Sequence, residues 1–230
     1  MSLSPDDRGA RRQLIVAIDG PSGAGKGTIA RALAARLRYR HIDTGAMYRA
    51  VAWKALQDRI DLADEERVAG LASRLHIVVG DGVVTADGHD IAKAIRTPEI
   101  DAAAAAVARQ PRVRQILIAQ QRAAAQEGAV VMEGRDIGTV VFPNADVKIY
   151  LDASPDERAR RRASDPAHAA GRGATAVQDV ATALEARDRS DRTRATSPLT
   201  CAPDAIAIDT TGIPVEEVIE RVLALVDARR

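Results

Sequence analysis

A glycine-rich segment, Gly20–Thr28, has the residue types and spacing that bind phosphate. It fits the pattern G-x-x-x-x-G-K, with a hydroxyl one place later than in the strict form. Glycines let consecutive backbone N–H groups turn toward phosphate oxygens, and the N-terminus of a following helix adds positive potential. Lys26 is predicted to reach the β- and γ-phosphates of a triphosphate, and Thr28 to orient Mg²⁺ or a phosphate. The predicted nucleotide contacts are Gly20, Pro21, Ser22, Gly23, Ala24, Gly25, Lys26, Gly27 and Thr28.

Two other nucleotide-binding classes do not fit the chain. A dinucleotide-binding loop is excluded because the pattern G-x-G-x-x-G does not occur. Asp209–Gly212 matches the D-x-x-G switch motif of GTPases. Guanine recognition in that class requires an N-K-x-D loop, however, and the only asparagine, Asn144, is followed by alanine. The GTPase interpretation therefore fails.

Several arginine groups could form the second phosphate site that a kinase needs for its acceptor. They lie in Asp43–Arg49, Pro111–Arg114, Glu133–Gly138 and Arg187–Arg194. In the last group, Arg187, Asp191 and Arg194 share one helical face. An isolated group of this kind is more often a solvated surface with weak ion pairs. Loops that end strands beside a phosphate loop favour binding instead.

The elements that must position these residues alternate along the chain. Short apolar runs at 14–18, 41–42, 129–132, 147–151 and 205–208 predict buried strands. Amphipathic spacing predicts helices after Lys26 and after His41-Ile42, and at 98–127, 155–168, 176–192 and 214–229. Strands that alternate with helices predict an α/β fold with a parallel sheet.

The expected organisation is one domain over residues 14–230, after a disordered leader at 1–13. Leu75–Val79 and Val83–Ala86, with glycine turns, predict a hairpin inside a small β-containing insert at 62–98. Arg158, Arg161 and Arg162 begin a segment, 155–173, that ends near Gly171 and Gly173. Glycine hinges and arginines suit a lid that closes over a nucleotide and excludes water.

Composition limits the classes of partner. The formal net charge is +1 and only five residues are aromatic, which argues against nucleic acid and anionic membrane as partners. Cys201 is the single cysteine, so no intramolecular disulfide can form. No run approaches the roughly 20 apolar residues of a membrane span. A cytoplasmic protein is expected.

The motifs together resemble those of bacterial cytidylate kinases. GPSGAGKGT at Gly20–Thr28, DTGAMYR at Asp43–Arg49, EGRDIGTVVF at Glu133–Phe142, Pro111–Arg114 and Arg187–Leu199 occur in that family's order and spacing. The resemblance implies a three-layer P-loop kinase fold with a parallel central sheet, a small NMP-binding insert and a helical lid. It also implies transfer of the γ-phosphoryl of ATP to CMP or dCMP with Mg²⁺, by a monomer.

The resemblance assigns roles to individual residues. Arg49, Arg135 and Arg194 would bind the CMP phosphate, Asp136 and Arg114 the cytosine, and Arg187 with Asp191 the pentose. Thr44 and Tyr48 complete the implied CMP site. Lys26, Arg135, Arg158 and Arg162 are the implied catalytic residues.

One position departs from the family pattern. Ala105 stands where the family often has a serine that contacts the base, which suggests weaker discrimination of CMP from UMP. Kinases for UMP, AMP or shikimate-type acceptors remain alternatives. So does a P-loop module that uses ATP to switch an interaction, or a basic nucleic-acid binder.

Overall fold

A computed structural model describes residues 13–80, 82–165 and 177–229. The strands are β1 (Ile15–Asp19), β2 (Arg40–Asp43), β3 (Ile77–Gly80), β4 (Val83–Ala86), β5 (His89–Asp90), β6 (Val130–Gly134), β7 (Val147–Asp152) and β8 (Ile206–Asp209). The helices are α1 (Lys26–Leu37), α2 (Thr44–Gln57), α3 (Glu65–Arg74), α4 (Pro98–Val107), α5 (Pro111–Ala124), α6 (Pro155–Ser164), α7 (Val177–Thr193) and α8 (Val215–Asp227), with a π-helical turn at Ile137–Val141.

The predicted parallel sheet is confirmed. Its strands lie in the order β2-β6-β1-β7-β8, and every neighbouring pair is parallel. The carboxyl ends of the strands therefore meet at one edge, where Asp19 pairs with Gly134 and Asp43 with Glu133. The segments with candidate chemistry leave the sheet from this edge, which is where open α/β sheets bind ligands.

Both faces of the sheet are covered, which is why β1 is almost continuously apolar. Val16 and Ile18 pack on one face against α1 and α8, through side chains such as Leu33 and Val222. Ala17 faces the opposite side and packs with residues of β6 and of the π-helical turn. Helix α1 is thus held firmly behind the loop that precedes it.

The predicted hairpin is confirmed and is slightly larger than expected. β3 pairs antiparallel with β4, and a short third strand, β5, pairs with β4. Gly82 and Gly88 adopt positive φ in the connecting turns. Val84, Ile91 and Ile95 pack in one hydrophobic cluster with Val51 of α2, so this small sheet is anchored to the helix that follows β2.

The helical stretch predicted at 98–127 is wrong as one element, because it forms two helices. α4 ends at Val107, and α5 begins at Pro111 as its first helical residue. Proline has no backbone N–H and is compatible only with the first turn, so a new helix starts there. The chain therefore changes direction between α4 and α5.

Two predicted segments lie partly or wholly outside the described residues. These are the leader, of which residues 1–12 are not described, and the second half of the lid, residues 166–173, with its glycines. Among the helices that are described, none has the length and apolar character needed to cross a membrane.

Candidate active site

The loop between β1 and α1 is built from backbone conformations that require glycine. Gly20 has φ +146°, and a Cβ there would lie 1.9 Å from the carbonyl oxygen of Leu151. Gly25 has φ +89° and caps the N-terminus of α1 in the left-handed region. Ser22–Thr28 line a cavity, whereas Gly20 and Pro21 do not. The loop thus presents its second half and a helix N-terminus to that cavity.

Lys26 is buried at the base of the loop. Its Nζ donates to the carbonyl oxygen of Pro21 at 2.7 Å. Burial, together with the nearby positive charge of Arg135, lowers the pKa of Lys26 to about 7. A cation in this position is poorly compensated, so a polyanion beside it would be strongly stabilised.

Oxygen donors for a metal ion lie on the same side. The Thr28 hydroxyl and the Glu133 carboxylate line the cavity, and Glu133 also contacts His41 Nε2 at 3.1 Å. The Asp19 carboxylate accepts from the backbone N–H groups of Ile137 and Gly138 at 2.8 and 2.7 Å. Within the described ranges, no three His, Cys, Asp or Glu side chains cluster as a metal site. Hard oxygen donors this few fit Mg²⁺ that is bound mainly through substrate phosphates and water.

Opposite the loop, six arginines from separate segments line the same cavity of about 750 Å³. We call them the arginine wall: Arg49, Arg96, Arg114, Arg135, Arg187 and Arg194. They come from α2, the segment before α4, α5, the loop after β6, α7 and the residue after α7. The folded chain thus brings together arginines from all four groups that the sequence singled out.

Members of the wall are oriented by oxygen acceptors. Arg135 donates Nε to Asp191 at 2.9 Å, and Arg194 donates Nε to the carbonyl oxygen of Ser197 at 2.6 Å. The cations still crowd one another. Burial lowers the pKa of Arg187 to about 10, and repulsion from neighbouring arginines lowers it as well. A bound anion would relieve this repulsion.

We call the part of the cavity lined by Tyr48, Ala104, Ala105, Arg114 and Asp136 the slot. Arg114 is only 2% exposed; it is ion-paired with Asp136 and lies 5.4 Å above the ring centre of Tyr48. Ala104 and Ala105 line the slot beside it. Arg114 Nε is buried without a hydrogen-bond partner among the described residues. Unpaired buried polar groups are costly, so they mark where a ligand's polar atoms would fit.

Helix α6 lines the cavity with three arginines, Arg160, Arg161 and Arg162, and contacts the phosphate loop through a fourth, Arg158. Arg162 lines the cavity as expected of a catalytic candidate. Arg158 is not among the residues that line it, so the cavity lining gives no support to the catalytic role expected of this residue. Its guanidinium donates to the carbonyl oxygens of Ala153 and Ser22, each at 3.1 Å, and is ion-paired with Asp188. Arg158 therefore braces the phosphate loop from outside.

Some residues of the site were missed in the sequence. Thr210, Ile213 and Pro214 line the cavity beside the phosphate loop, and Arg161 donates to Thr210 Oγ1 at 2.8 Å. The signal was present, because Asp209–Gly212 follows a predicted strand at the carboxyl edge of the sheet. Its match to a GTPase switch motif does not by itself indicate this position beside the loop. Asp101, described below, had no signal in the sequence.

Comparisons with known proteins agree with this geometry. A family model described as cytidylate kinase matches residues 16–228. The cytidylate kinase of Solibacter usitatus is 47% identical over 219 residues, covering 95% of this chain and 94% of that protein. The cytidylate kinase of Geobacter sulfurreducens is 49% identical over 223 residues, covering 95% of each. An uncharacterized protein from Eubacterium ventriosum has a similar fold, with a TM-score of 0.50 at 13% identity over 94% of this chain and 99% of that one.

Proposed function

The chain belongs to the cytidylate kinase family, and we propose that it transfers the γ-phosphoryl group of ATP to CMP or dCMP, giving ADP and CDP or dCDP. The observation that supports this most directly is a single cavity lined in two places by groups that can bind anions, which we propose as its two anion sites. One site is the phosphate loop with Lys26, and the other is the arginine wall. A triphosphate donor and a phosphate-bearing acceptor are the pair of ligands that fit such a cavity.

On the donor side, the loop amides and Lys26 would bind the β- and γ-phosphates of ATP. Ile213 and Pro214 offer an apolar surface next to the loop, which suits the adenine ring. When bound, Mg²⁺ would neutralise charge on the donor phosphates, with the Thr28 hydroxyl as a ligand directly or through water. The role of the protein here is to orient the γ-phosphoryl group toward the wall.

On the acceptor side, the slot suits cytosine. The Asp136 carboxylate can accept from the exocyclic amine of cytosine but would repel the carbonyl that uracil has in that place. Arg114 can donate to the cytosine O2 and N3. The aromatic ring of Tyr48 lies below that guanidinium and remains neutral, because burial raises the pKa of Tyr48 to about 12.

The rest of the acceptor would follow the wall away from the slot. Arg187 and Asp191 would contact the pentose hydroxyls, and Arg49, Arg135 and Arg194 the phosphate. Thr44 lines the same cavity and donates its hydroxyl to the carbonyl oxygen of Glu133 at 2.7 Å. Guanidinium groups suit this task because they bind phosphate through paired N–H donors.

The transfer itself requires alignment and charge stabilisation. An acceptor phosphate oxygen is already a competent nucleophile, so no general base is needed. Lys26, Arg135 and Arg162 would gather the negative charge that is shared between donor and acceptor in the transition state. Closure of the 155–173 segment would exclude water and so prevent hydrolysis of ATP. Arg158 acts in this proposal by supporting the loop.

The deciding experiment is an ADP-release assay with purified protein, ATP and a panel of acceptors. We expect rapid turnover with CMP and dCMP, slower turnover with UMP, and little with AMP. Fastest turnover with UMP or AMP would replace the proposed acceptor. Strong ADP release without an acceptor would favour an ATP-driven switch instead.

We propose further that the protein acts as a monomer in the cytoplasm. The phosphate loop, Lys26 and all six arginines of the wall belong to the same chain, so the proposed transfer does not require a residue from a second copy. The near-neutral net charge gives no support for a nucleic-acid partner. Sedimentation of the protein with and without its substrates would test the oligomeric state.

A further inference from the structure

A carboxylate outside the cavity meets three of the arginines that line it. Asp101 lies in the first turn of α4, with 13% of its side chain exposed. Arg49 donates Nε to Asp101 Oδ1 at 3.0 Å, and Arg162 donates Nη2 to Oδ2 at 2.6 Å. Arg187 Nη1 lies 3.4 Å from Oδ1. One carboxyl group therefore joins α4 to α2, α6 and α7.

The Asp101 carboxylate stays ionised beside these arginines. Burial raises the pKa of the Asp101 carboxyl, but Arg49, Arg187 and Arg162 outweigh burial and hold that pKa well below its usual range. Three guanidinium groups this close would repel one another without a shared anion between them. Asp101 supplies that anion in a form that is part of the protein and stays ionised at neutral pH.

The position of Asp101 is itself rigid. Its backbone N–H donates to the carbonyl oxygen of Thr97 at 2.9 Å, and the Thr97 hydroxyl caps the helix by accepting from Ile100 N at 3.2 Å. Pro98 occupies the first helical position. An acidic side chain in the first turn is also favoured by the helix dipole. The carboxylate thus has a fixed place against which arginines can be oriented.

We propose that Asp101 is a positioning residue for the transfer: it holds Arg49, Arg162 and Arg187 from behind, so that three helices direct their guanidinium groups into one cavity. This inference rests on the proposed function. The described contact of Arg49 uses only its Nε, so its two terminal nitrogens remain available to an acceptor phosphate. The contact of Arg162 ties the helix that begins the lid to the acceptor side.

A competing role would be that Asp101 imitates the acceptor phosphate and must be displaced by it. The geometry favours positioning, because the three arginines line the cavity and Asp101 does not. The two roles predict opposite kinetics. Loss of a competing anion would lower the KM for CMP and leave kcat unchanged or higher, whereas loss of a positioning anion would lower kcat.

The test is steady-state kinetics with CMP and ATP for the wild type, Asp101→Asn, Asp101→Glu and a control, Glu99→Gln. Glu99 is an exposed acidic residue in the same helical turn. We expect kcat of Asp101→Asn to fall about tenfold or more, with the KM for CMP within about threefold of wild type. Asp101→Glu should regain a large part of kcat, and Glu99→Gln should match wild type. An unchanged kcat in Asp101→Asn, or a lower KM alone, would overturn the inference.

A second measurement covers the case in which Asp101→Asn does not fold, since it would leave buried cations uncompensated. A crystal structure of the wild type with CMP and ADP should retain the contacts of Asp101 with Arg49 and Arg162, whereas a displaced Asp101 would refute positioning. The proposed function is tested separately by the wild-type assay. A wild type inactive with CMP would refute that function and this inference with it, whereas an active wild type with an unaffected Asp101→Asn refutes only the inference.

Discussion

The phosphate loop and the arginine wall, the two proposed anion sites, line one cavity but are formed by different kinds of groups. The loop uses backbone N–H groups and one lysine from nine consecutive residues, Gly20–Thr28. The wall uses side chains that start at Arg49 and end at Arg194 in the sequence. The first site is therefore local and depends on backbone conformation. The second exists only after the chain has folded, and it depends on carboxylates that keep the cations together.

Because of this difference, we expect substitution of one residue of the loop to abolish most of the activity. Substitution of one arginine of the wall should remove only part of it. Lys26→Ala removes the only side-chain cation of the loop, and we expect kcat/KM to fall about a thousandfold or more, with the fold retained. Lys93→Ala, at an exposed lysine on the acceptor side, serves as the control. Circular dichroism and ADP release would check both. Near-full activity in Lys26→Ala would contradict the proposed role of the loop.

A single arginine of the wall should matter less, and mainly for kcat. In Arg135→Ala we expect kcat to fall about a hundredfold and the KM for CMP to change much less, because charge pairing strengthens as the phosphoryl group transfers. The exposed Arg192→Ala, close in sequence to the wall, is the matched control. A rise in KM with unchanged kcat would mean that Arg135 binds ground and transition states equally.

The same difference explains what the sequence could predict. The loop was predictable because its chemistry is contiguous, and the strands because their apolar runs are short and buried on both faces. The arginines were named from motif order and from the family resemblance. Their partners were not, because Asp101 and Arg162, for example, lie 61 positions apart and meet only in the folded chain.

The position of Arg158 in α6 could not be predicted from the sequence for a similar reason. Arg158 and Arg162 are four residues, just over one helical turn, apart, which is about 6 Å along the axis. That distance is enough to send Arg158 to Asp188 and the outside of the loop, while Arg162 reaches the cavity. The sequence shows that both arginines lie on one side of a helix. The tertiary packing of α6 against α7 decides which of them lines the cavity.

The loop and the wall should also differ in how their charge depends on pH. Burial lowers the pKa of Lys26 to about 7, so above that pH the free loop loses its charge, whereas the guanidinium groups of the wall keep theirs. Binding of ATP should raise this pKa again, so at about pH 8 we expect uptake of a proton and affinity that weakens by up to about tenfold per pH unit. At about pH 5.5 no uptake from Lys26 is expected, because the residue is already charged.

Calorimetry of ATP binding in two buffers of different ionisation enthalpy would measure this uptake. Lys26→Met is the control, and it should remove the dependence on buffer. An equal proton uptake in wild type and Lys26→Met would assign the titration to another group. No uptake in either protein would mean that Lys26 remains charged in the free loop.

The smallest expected effect concerns the slot end of the wall, where we expect one added hydroxyl to improve discrimination between bases. Ala105 lines the slot beside Arg114 and Asp136, and Ala105→Ser would add a donor and acceptor there without a large change in volume. We expect the ratio of kcat/KM for CMP to that for UMP to rise about two- to fivefold. Ala106→Ser, exposed on the same helix, should leave the ratio as it is. If both substitutions give the wild-type ratio, Asp136 and Arg114 alone distinguish the bases, and Ala105 does not weaken the selectivity of this chain.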